Sequence, residues 1–228
     1  MGAELRSVLF DLDGTLIDSA PDLHAALNRL LAERGLRTAT LPAVQRMIGD
    51  GVRKLVERGF AAAGPPLDRP ALDAAEQRFV EIYMTAPAEL TRSYDGVVDT
   101  LETLAGRGLT LGICTNKPEA ATQAILRQLG LARLFRGVSG GDSAPVRKPD
   151  PGHVRDALRR MAADPATTLM VGDNEHDVHA GQAAGLRTVA VTYGYARHPY
   201  NELGADWLIP RFPDLLGIID GIGTEAVA

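Results

Sequence analysis

At 228 residues the chain is long enough for one large domain or for a core carrying a smaller insert. Hydrophobic residues at 45% and charged residues at 23% are ordinary for a soluble globular enzyme, and a net charge of -5 argues against a general binder of nucleic acid or anionic membrane. The single cysteine, Cys114, leaves no internal disulfide, and no apolar stretch approaches membrane-spanning length, so a cytoplasmic protein is expected.

In chain order, Met1 to Arg6 is polar and the apolar run Val8-Leu9-Phe10 stops at Asp11, which is not the shape of a signal peptide. Position 6 is Arg, so a myristoylation pattern at Gly2 also fails. Ser7 to Phe10 reads as a short strand. Ser19-Ala20-Pro21-Asp22 places an N-cap serine before a proline and an acid, and Leu23, Leu27, Leu30 and Leu31 follow at helical spacing until Gly35. Further helices are predicted over Pro42 to Ile48, Val52 to Ala63 and Pro70 to Thr85, with no strand signal between residues 20 and 85. Beyond Pro87, a helix over Val97 to Ala105 leads to a strand over Leu109 to Cys114 and a helix over Pro118 to Leu129. A short strand near Val138 and a helix over Pro151 to Met161 come next, then a strand over Leu169 to Val171 and a helix to Ala184. Strands over Thr188 to Thr192 and Trp207 to Ile209 precede a last helix around Leu215 to Ile219. This alternation predicts an α/β class: a Rossmann-like three-layer core with a parallel sheet, plus an inserted helical cap domain. The expected boundaries are 1–15 and 90–228 for the core and 16–89 for the cap.

Ligands of such a sheet collect at the carboxyl ends of its strands, and those ends carry polar residues in a definite order. The first strand delivers Asp11 and Asp13, the strand ending at Cys114 delivers Thr115 and Asn116, and Lys148 precedes Pro149 in a loop entering a helix. The strand ending at Val171 delivers Gly172-Asp173, with Asp177 four residues later. A carboxylate can accept a phosphoryl group and divide one hard displacement into two. Three carboxylates converging on one point call for a hard dication such as Mg²⁺ between them. Thr115, the Asn116 amide and Lys148 can balance charge on the phosphoryl oxygens, while Asp13 can protonate the leaving group from the turn that Gly14 permits. Taken singly, each signal has an ordinary reading as a turn acid, a strand-end turn or a helix N-terminus; their order together is what carries weight. Cys114 is expected to be a buried strand residue, with a nucleophilic role a weaker alternative. His176 and His179 beside the acids suggest zinc, but the acids serve better as a magnesium set and both histidines are read as helix-surface residues.

Together these residues resemble the haloacid dehalogenase-like hydrolase superfamily across essentially the whole chain. Asp11-Leu12-Asp13-Gly14-Thr15 is similar to its first motif, Thr115-Asn116 to its second, Lys148 to its third, and Gly172-Asp173 with Asp177 to its fourth. The resemblance implies that Asp11 is the nucleophile and binds Mg²⁺ by its side chain. It implies that Asp13 binds the metal through its backbone carbonyl and acts as acid and base, and that Asp173 is the third protein ligand. Asp177 would then support the metal waters or Lys148. Asn174 stands where the family commonly has serine, which leaves metal binding intact and puts only fine orientation in question.

Asp13 separates phosphate chemistry from dehalogenation, because expelling a halide needs no proton donor. Asp13 to Leu23 resembles the opening of the phosphoglycolate phosphatase group, which implies hydrolysis of 2-phosphoglycolate to glycolate through an aspartyl phosphate. Ile48-Gly49-Asp50-Gly51-Val52 resembles that group's cap loop, with Gly49 and Gly51 near the substrate. Arg53 is a candidate contact for a substrate carboxylate, and equally a solvated helix-face arginine. A sugar phosphomutase, or a phosphatase of another sugar or amino-sugar phosphate, shares these features. A phosphate-binding regulator without turnover is disfavoured by the filled catalytic positions. A small phosphorylated metabolite is the expected partner, with neither nucleic acid nor membrane, in a monomer or homodimer.

Overall fold

The computed structural model describes residues 4–225, with side chains to residue 222; Gly2 lies outside them. The core is a six-stranded sheet whose neighbouring strands all run parallel. Its strands are β1 (Ser7–Phe10), β4 (Thr110–Cys114), β5 (Gly137–Ser139), β6 (Thr168–Gly172), β7 (Arg187–Val191) and β8 (Trp207–Ile209), in the spatial order β5-β4-β1-β6-β7-β8. The chain builds outward from β1 on one side through β4 and β5, and on the other through β6, β7 and β8. The order therefore reverses at β1, which places a crevice beyond its carboxyl end, between β4 and β6.

Alternation along the strands divides the core into two layers. Val8 and Phe10 join Ile113, Val171 and Phe212 in one cluster, while Leu9 joins Cys114, Met161 and Met170 in another. The covering helices are α5 (Val97–Gly106), α6 (Glu119–Gln128), α7 (Pro151–Met161), α8 (Glu175–Ala183) and α9 (Leu215–Glu225). Helix α7 lies so close to β4 that a Cβ on Gly112 would stand 2.2 Å from Met161 Sδ. Cys114 is fully buried here, and burial pushes its thiol up to about 12, which suits packing rather than nucleophilic attack.

Between β1 and β4 the chain leaves the sheet through a two-stranded antiparallel ribbon, β2 (Ile17–Asp18) with β3 (Arg92–Ser93), pairing Ile17 with Ser93 and Asp18 with Arg92. The four expected helices hang from this ribbon as α1 (Ala20–Glu33), α2 (Leu41–Gln45), α3 (Val52–Ala63) and α4 (Arg69–Met84). Leu23, Leu27, Leu30 and Leu31 of α1 are buried, as are Leu72, Phe79 and Tyr83 of α4. Gly59 of α3 admits Leu27, whose Cδ1 would lie 2.8 Å from an added Cβ. Asp68 caps α4 by accepting from the Ala71 amide.

Ser19 is the N-cap residue of α1, as expected, but its side chain makes no capping bond, and its hydroxyl donates to Asp13 Oδ1 at 2.5 Å. The acid of that first turn faces inward instead. Asp22 accepts from the amides of Leu90 and Thr91 and from the Thr91 hydroxyl, fastening α1 to the returning chain. Among the described residues, no helix is long and apolar enough to cross a membrane.

Candidate active site

Asp11 follows β1 and is held in the crevice by its amide, which donates to Val171 O at 2.9 Å. The next residues turn back sharply: the amides of Thr15, Leu16 and Ile17 all donate to Leu12 O. Gly14 sits in this turn at φ 87°, and a Cβ there would lie 2.4 Å from Asp173 Oδ2. Its missing side chain is what lets the fourth-motif acid reach the first-motif turn.

Asp173 is fully buried, with Oδ2 accepting from the Tyr195 amide at 2.6 Å and Oδ1 from Asn174 Nδ2 at 2.9 Å. Asn174 also caps α8 by accepting from the His176 amide, so this residue both orients Asp173 and starts the helix. Asp177 Oδ2 closes the capping box on the amides of Asp173 and Asn174, and its Oδ1 accepts from Lys148 Nζ at 2.5 Å. The same ammonium stands 2.8 Å from Asp11 Oδ1. Ligand oxygens of Asp11, Asp173 and Asp177 lie within 4.8 Å of one another, all buried. Burial lifts Asp11 to about 6 against the pull of Lys148, with Asp177 and Asp13 adding to the rise. Burial, then Asp177 and Asp11, raises Asp173 well above the ordinary range. Burial works against the charge on Lys148, but Asp11 and Asp177 outweigh it and raise its pKa.

Thr115 and Asn116 follow β4. The Thr115 amide donates to Ser139 O at 3.0 Å, and Asn116 is a junction. Its Oδ1 accepts from the Lys148 amide at 3.1 Å, and its Nδ2 donates to Lys148 O at 3.0 Å and to Gly49 O at 2.9 Å. One side chain thus clamps the lysine loop and reaches the glycine loop of the helical insert. A second support is His153, buried on α7: Nδ1 accepts from the Lys148 amide at 3.3 Å while Nε2 donates to Gly140 O at 3.0 Å. Burial, with Lys148 nearby, pushes its pKa down to about 4, so it stays neutral and can hold both bonds.

A cavity of about 40 Å³ lies between core and insert. Asp11, Asp13, Thr115, Asn116 and Lys117 line it from the core, and Leu23, Ile48, Gly49, Gly51, Val52 and Leu55 from the insert. Gly49 and Gly51 adopt φ 113° and 85°, and a Cβ on Gly51 would lie 3.2 Å from Asn116 O. Arg53 is not among the lining residues. It pairs with Asp73 Oδ1 at 2.6 Å and Glu76 Oε2 at 2.8 Å, on helix α4, the placement of a helix-face arginine.

Sequence reasoning passed over Lys117, although it directly follows Thr115-Asn116. Its Nζ lies 3.1 Å from both carboxylate oxygens of Asp13 and 4.8 Å from the centroid of the Tyr83 ring. The reading of His176 as a surface residue is corrected. Its Nε2 contacts Asp50, which also receives Arg58 and Arg197, while Arg197 pairs with Glu175 Oε1 at 3.0 Å. His179 is exposed, as expected.

A family model described as haloacid dehalogenase-like hydrolase matches residues 8–191. A phosphoglycolate phosphatase of Caulobacter vibrioides is 41% identical over 209 residues, 92% of this chain and 88% of its own. One of Rhodospirillum rubrum is 42% identical over 222 residues, 96% and 91% of the two chains. The crystal structure of a predicted phosphoglycolate phosphatase from Haemophilus somnus superposes with a TM-score of 0.89 at 32% identity, covering 95% of this chain and 98% of that one. The strand-end acids, the lysine that bridges them and these matches over most of the chain lead to one conclusion: this chain belongs to the haloacid dehalogenase-like hydrolases.

Proposed function

We propose that the chain is a Mg²⁺-dependent phosphatase that hydrolyses 2-phosphoglycolate to glycolate and phosphate through an aspartyl phosphate on Asp11. The observation that carries this reading is the buried cluster of Asp11, Asp173 and Asp177 with Lys148 between two of its acids, from which Asp11 reaches the cavity between core and insert. The relatives named phosphoglycolate phosphatase, each matching more than 90% of this chain, support the substrate.

The donor set suits a hard dication, because it consists of buried carboxylates that burial and mutual repulsion otherwise drive toward protonation. Asp11, Asp173 and the Asp13 backbone carbonyl would hold Mg²⁺, which when bound supplies charge screening between the anionic nucleophile and the anionic phosphate. The carboxylate of Asp11 attacks phosphorus, a P–O bond forms to Asp11, and the bond to the glycolate oxygen breaks. Asp13, on the same turn, gives that oxygen its proton. Water then attacks the same phosphorus, Asp13 takes its proton, and the P–O bond to Asp11 breaks to release phosphate. Lys148, Thr115 and the Asn116 amide offset charge on the phosphoryl oxygens throughout. Asp177 keeps Lys148 in place, and Asn174 orients Asp173.

In this reading residues 1–15 and 90–228 form the catalytic core and residues 16–89 the cap, with Gly49 and Gly51 closing over the substrate. A screen of phosphate monoesters for phosphate release, with and without Mg²⁺, tests the proposal, and 2-phosphoglycolate is expected to lead. Silence from every monoester would sink it. Asp11→Asn is expected to abolish turnover while circular dichroism stays native.

A further inference from the structure

A substrate that carries a carboxylate beside its phosphoryl group brings a second anion into the cavity, and the cations considered so far are held by acids of the protein. Lys148 is taken by Asp11 and Asp177, and Arg53 by α4. The cavity walls from the insert consist of apolar side chains and glycines. Lys117 is the cation left among the lining residues, and it is 5% exposed.

Its position suits the task. In glycolate the carboxylate sits on the carbon that bears the leaving oxygen, so whatever binds the carboxylate must lie next to the group that protonates that oxygen. Lys117 Nζ is 3.1 Å from both carboxylate oxygens of that group, Asp13. Two of its three N–H bonds suffice for Asp13, which leaves the third. Beside it is an unmet polar atom of a different element: the hydroxyl of Tyr83, on α4, is buried and has no hydrogen-bond partner. Tyr83 and Lys117 also line a second cavity, of about 60 Å³, which shares Leu23, Val52 and Lys117 with the first. Lys117 therefore stands at the wall common to the two cavities, with Tyr83 beside it in the second.

We propose that Lys117 and Tyr83 form a clamp for the carboxylate of the substrate, one jaw from the core and one from the helical insert. The ammonium donates to one carboxylate oxygen and the Tyr83 hydroxyl to the carboxylate beside it. The clamp makes the enzyme selective for phosphate monoesters of 2-hydroxy acids over those of simple alcohols. This assignment rests on the phosphatase reading above, and the test separates the two.

The full-length protein with Mg²⁺ is assayed by phosphate release on 2-phosphoglycolate and on 2-hydroxyethyl phosphate, its carboxyl-free counterpart. The readout is the ratio of the two kcat/KM values, because any loss transmitted through Asp13 lowers both and leaves the ratio alone. Wild type is expected to favour 2-phosphoglycolate strongly. Lys117→Met should lower the ratio by about 100-fold and Tyr83→Phe by about 5-fold, as removal of a charged and a neutral donor. A ratio unchanged in both variants overturns the clamp. Should Lys117→Met lose its native circular dichroism, Tyr83→Phe decides alone, since it removes one oxygen and leaves the ring in place. A wild-type ratio near one overturns the clamp but leaves the phosphatase standing, whereas no release from any monoester removes both.

Discussion

Asp173 is flanked by two glycines whose missing side chains make its position possible. A Cβ on Gly194 would lie 2.4 Å from the Cβ of Asp173, and one on Gly14 2.4 Å from its Oδ2. Gly14→Ala adds a positive-φ penalty of about 1–2 kcal/mol to this collision. It is expected to lower the melting temperature and to weaken Mg²⁺ binding measured by calorimetry, while Gly217→Ala, with open space around it, leaves binding unchanged. The acids also set a pH dependence. In the cation-free protein Asp11 rises from 3.8 to about 6 and Asp173 rises with it, so both favour the fold below their unfolded values and withdraw that support as pH rises through the folded ones. Melting curves of cation-free protein should therefore show wild type losing stability relative to Asp11→Asn between about pH 4 and 6. Mg²⁺ should raise the melting temperature more at about pH 7.5 than at about pH 5, because protons compete for the same oxygens. Parallel curves for the two proteins would refute the first expectation. Asp11, Lys148 and Asp173 are legible in the sequence because each follows a strand or opens a helix. His153 is not: its partner is the backbone of Lys148, and nothing in an ordinary helix-face histidine points to that.

At the scale of elements, the longer helices are legible from their hydrophobic period, and the sheet strands from short apolar runs bounded by turn residues or acids. The ribbon of β2 and β3 is not, since two residues on each side show no alternation and pair across the whole insert. The ribbon is where the helical insert meets the core, and Asp22 secures it. Asp22→Ala leaves the amides of Leu90 and Thr91 and the Thr91 hydroxyl without their acceptor, at a cost of about 2–4 kcal/mol. Urea unfolding measures this, and a loss below about 1 kcal/mol would show that the fastening is superficial. Ser19 illustrates how a local rule is met only in part at such a junction. The S-A-P-D pattern does start α1 at Ser19, but the hydroxyl donates to Asp13 and accepts from no amide of the first turn.

Across the whole molecule, one carboxylate joins the two parts over the site. Asp50 lies between Gly49 and Gly51, and Arg197 and His176 of the core converge on it with Arg58 of α3. Burial alone would raise its pKa, but hydrogen bonds from His176, Arg197 and Arg58 hold the carboxyl far below the usual range. Asp50→Ala is expected to speed amide exchange at Gly49 to Val52 and to lower kcat/KM about 10-fold, chiefly through KM. Unchanged exchange would mean that the loop is held by Asn116 alone. None of this contact is legible in the sequence, because its members come from the insert, a helix start and a loop after β7. The central place of β1 has a further consequence, for the order in which the protein can be made. Its two neighbours, β4 and β6, begin about 100 and 160 residues after it, so the strand that leads to Asp11 leaves the ribosome with both edges bare. The insert's helices, whose contacts are local, can assemble in that interval, while β1 waits with Val8, Leu9 and Phe10 uncovered. A nascent chain halted before Leu109 would hold a finished helical bundle and an apolar strand with nothing to pair with, and that stage is where a chaperone has the most to shield.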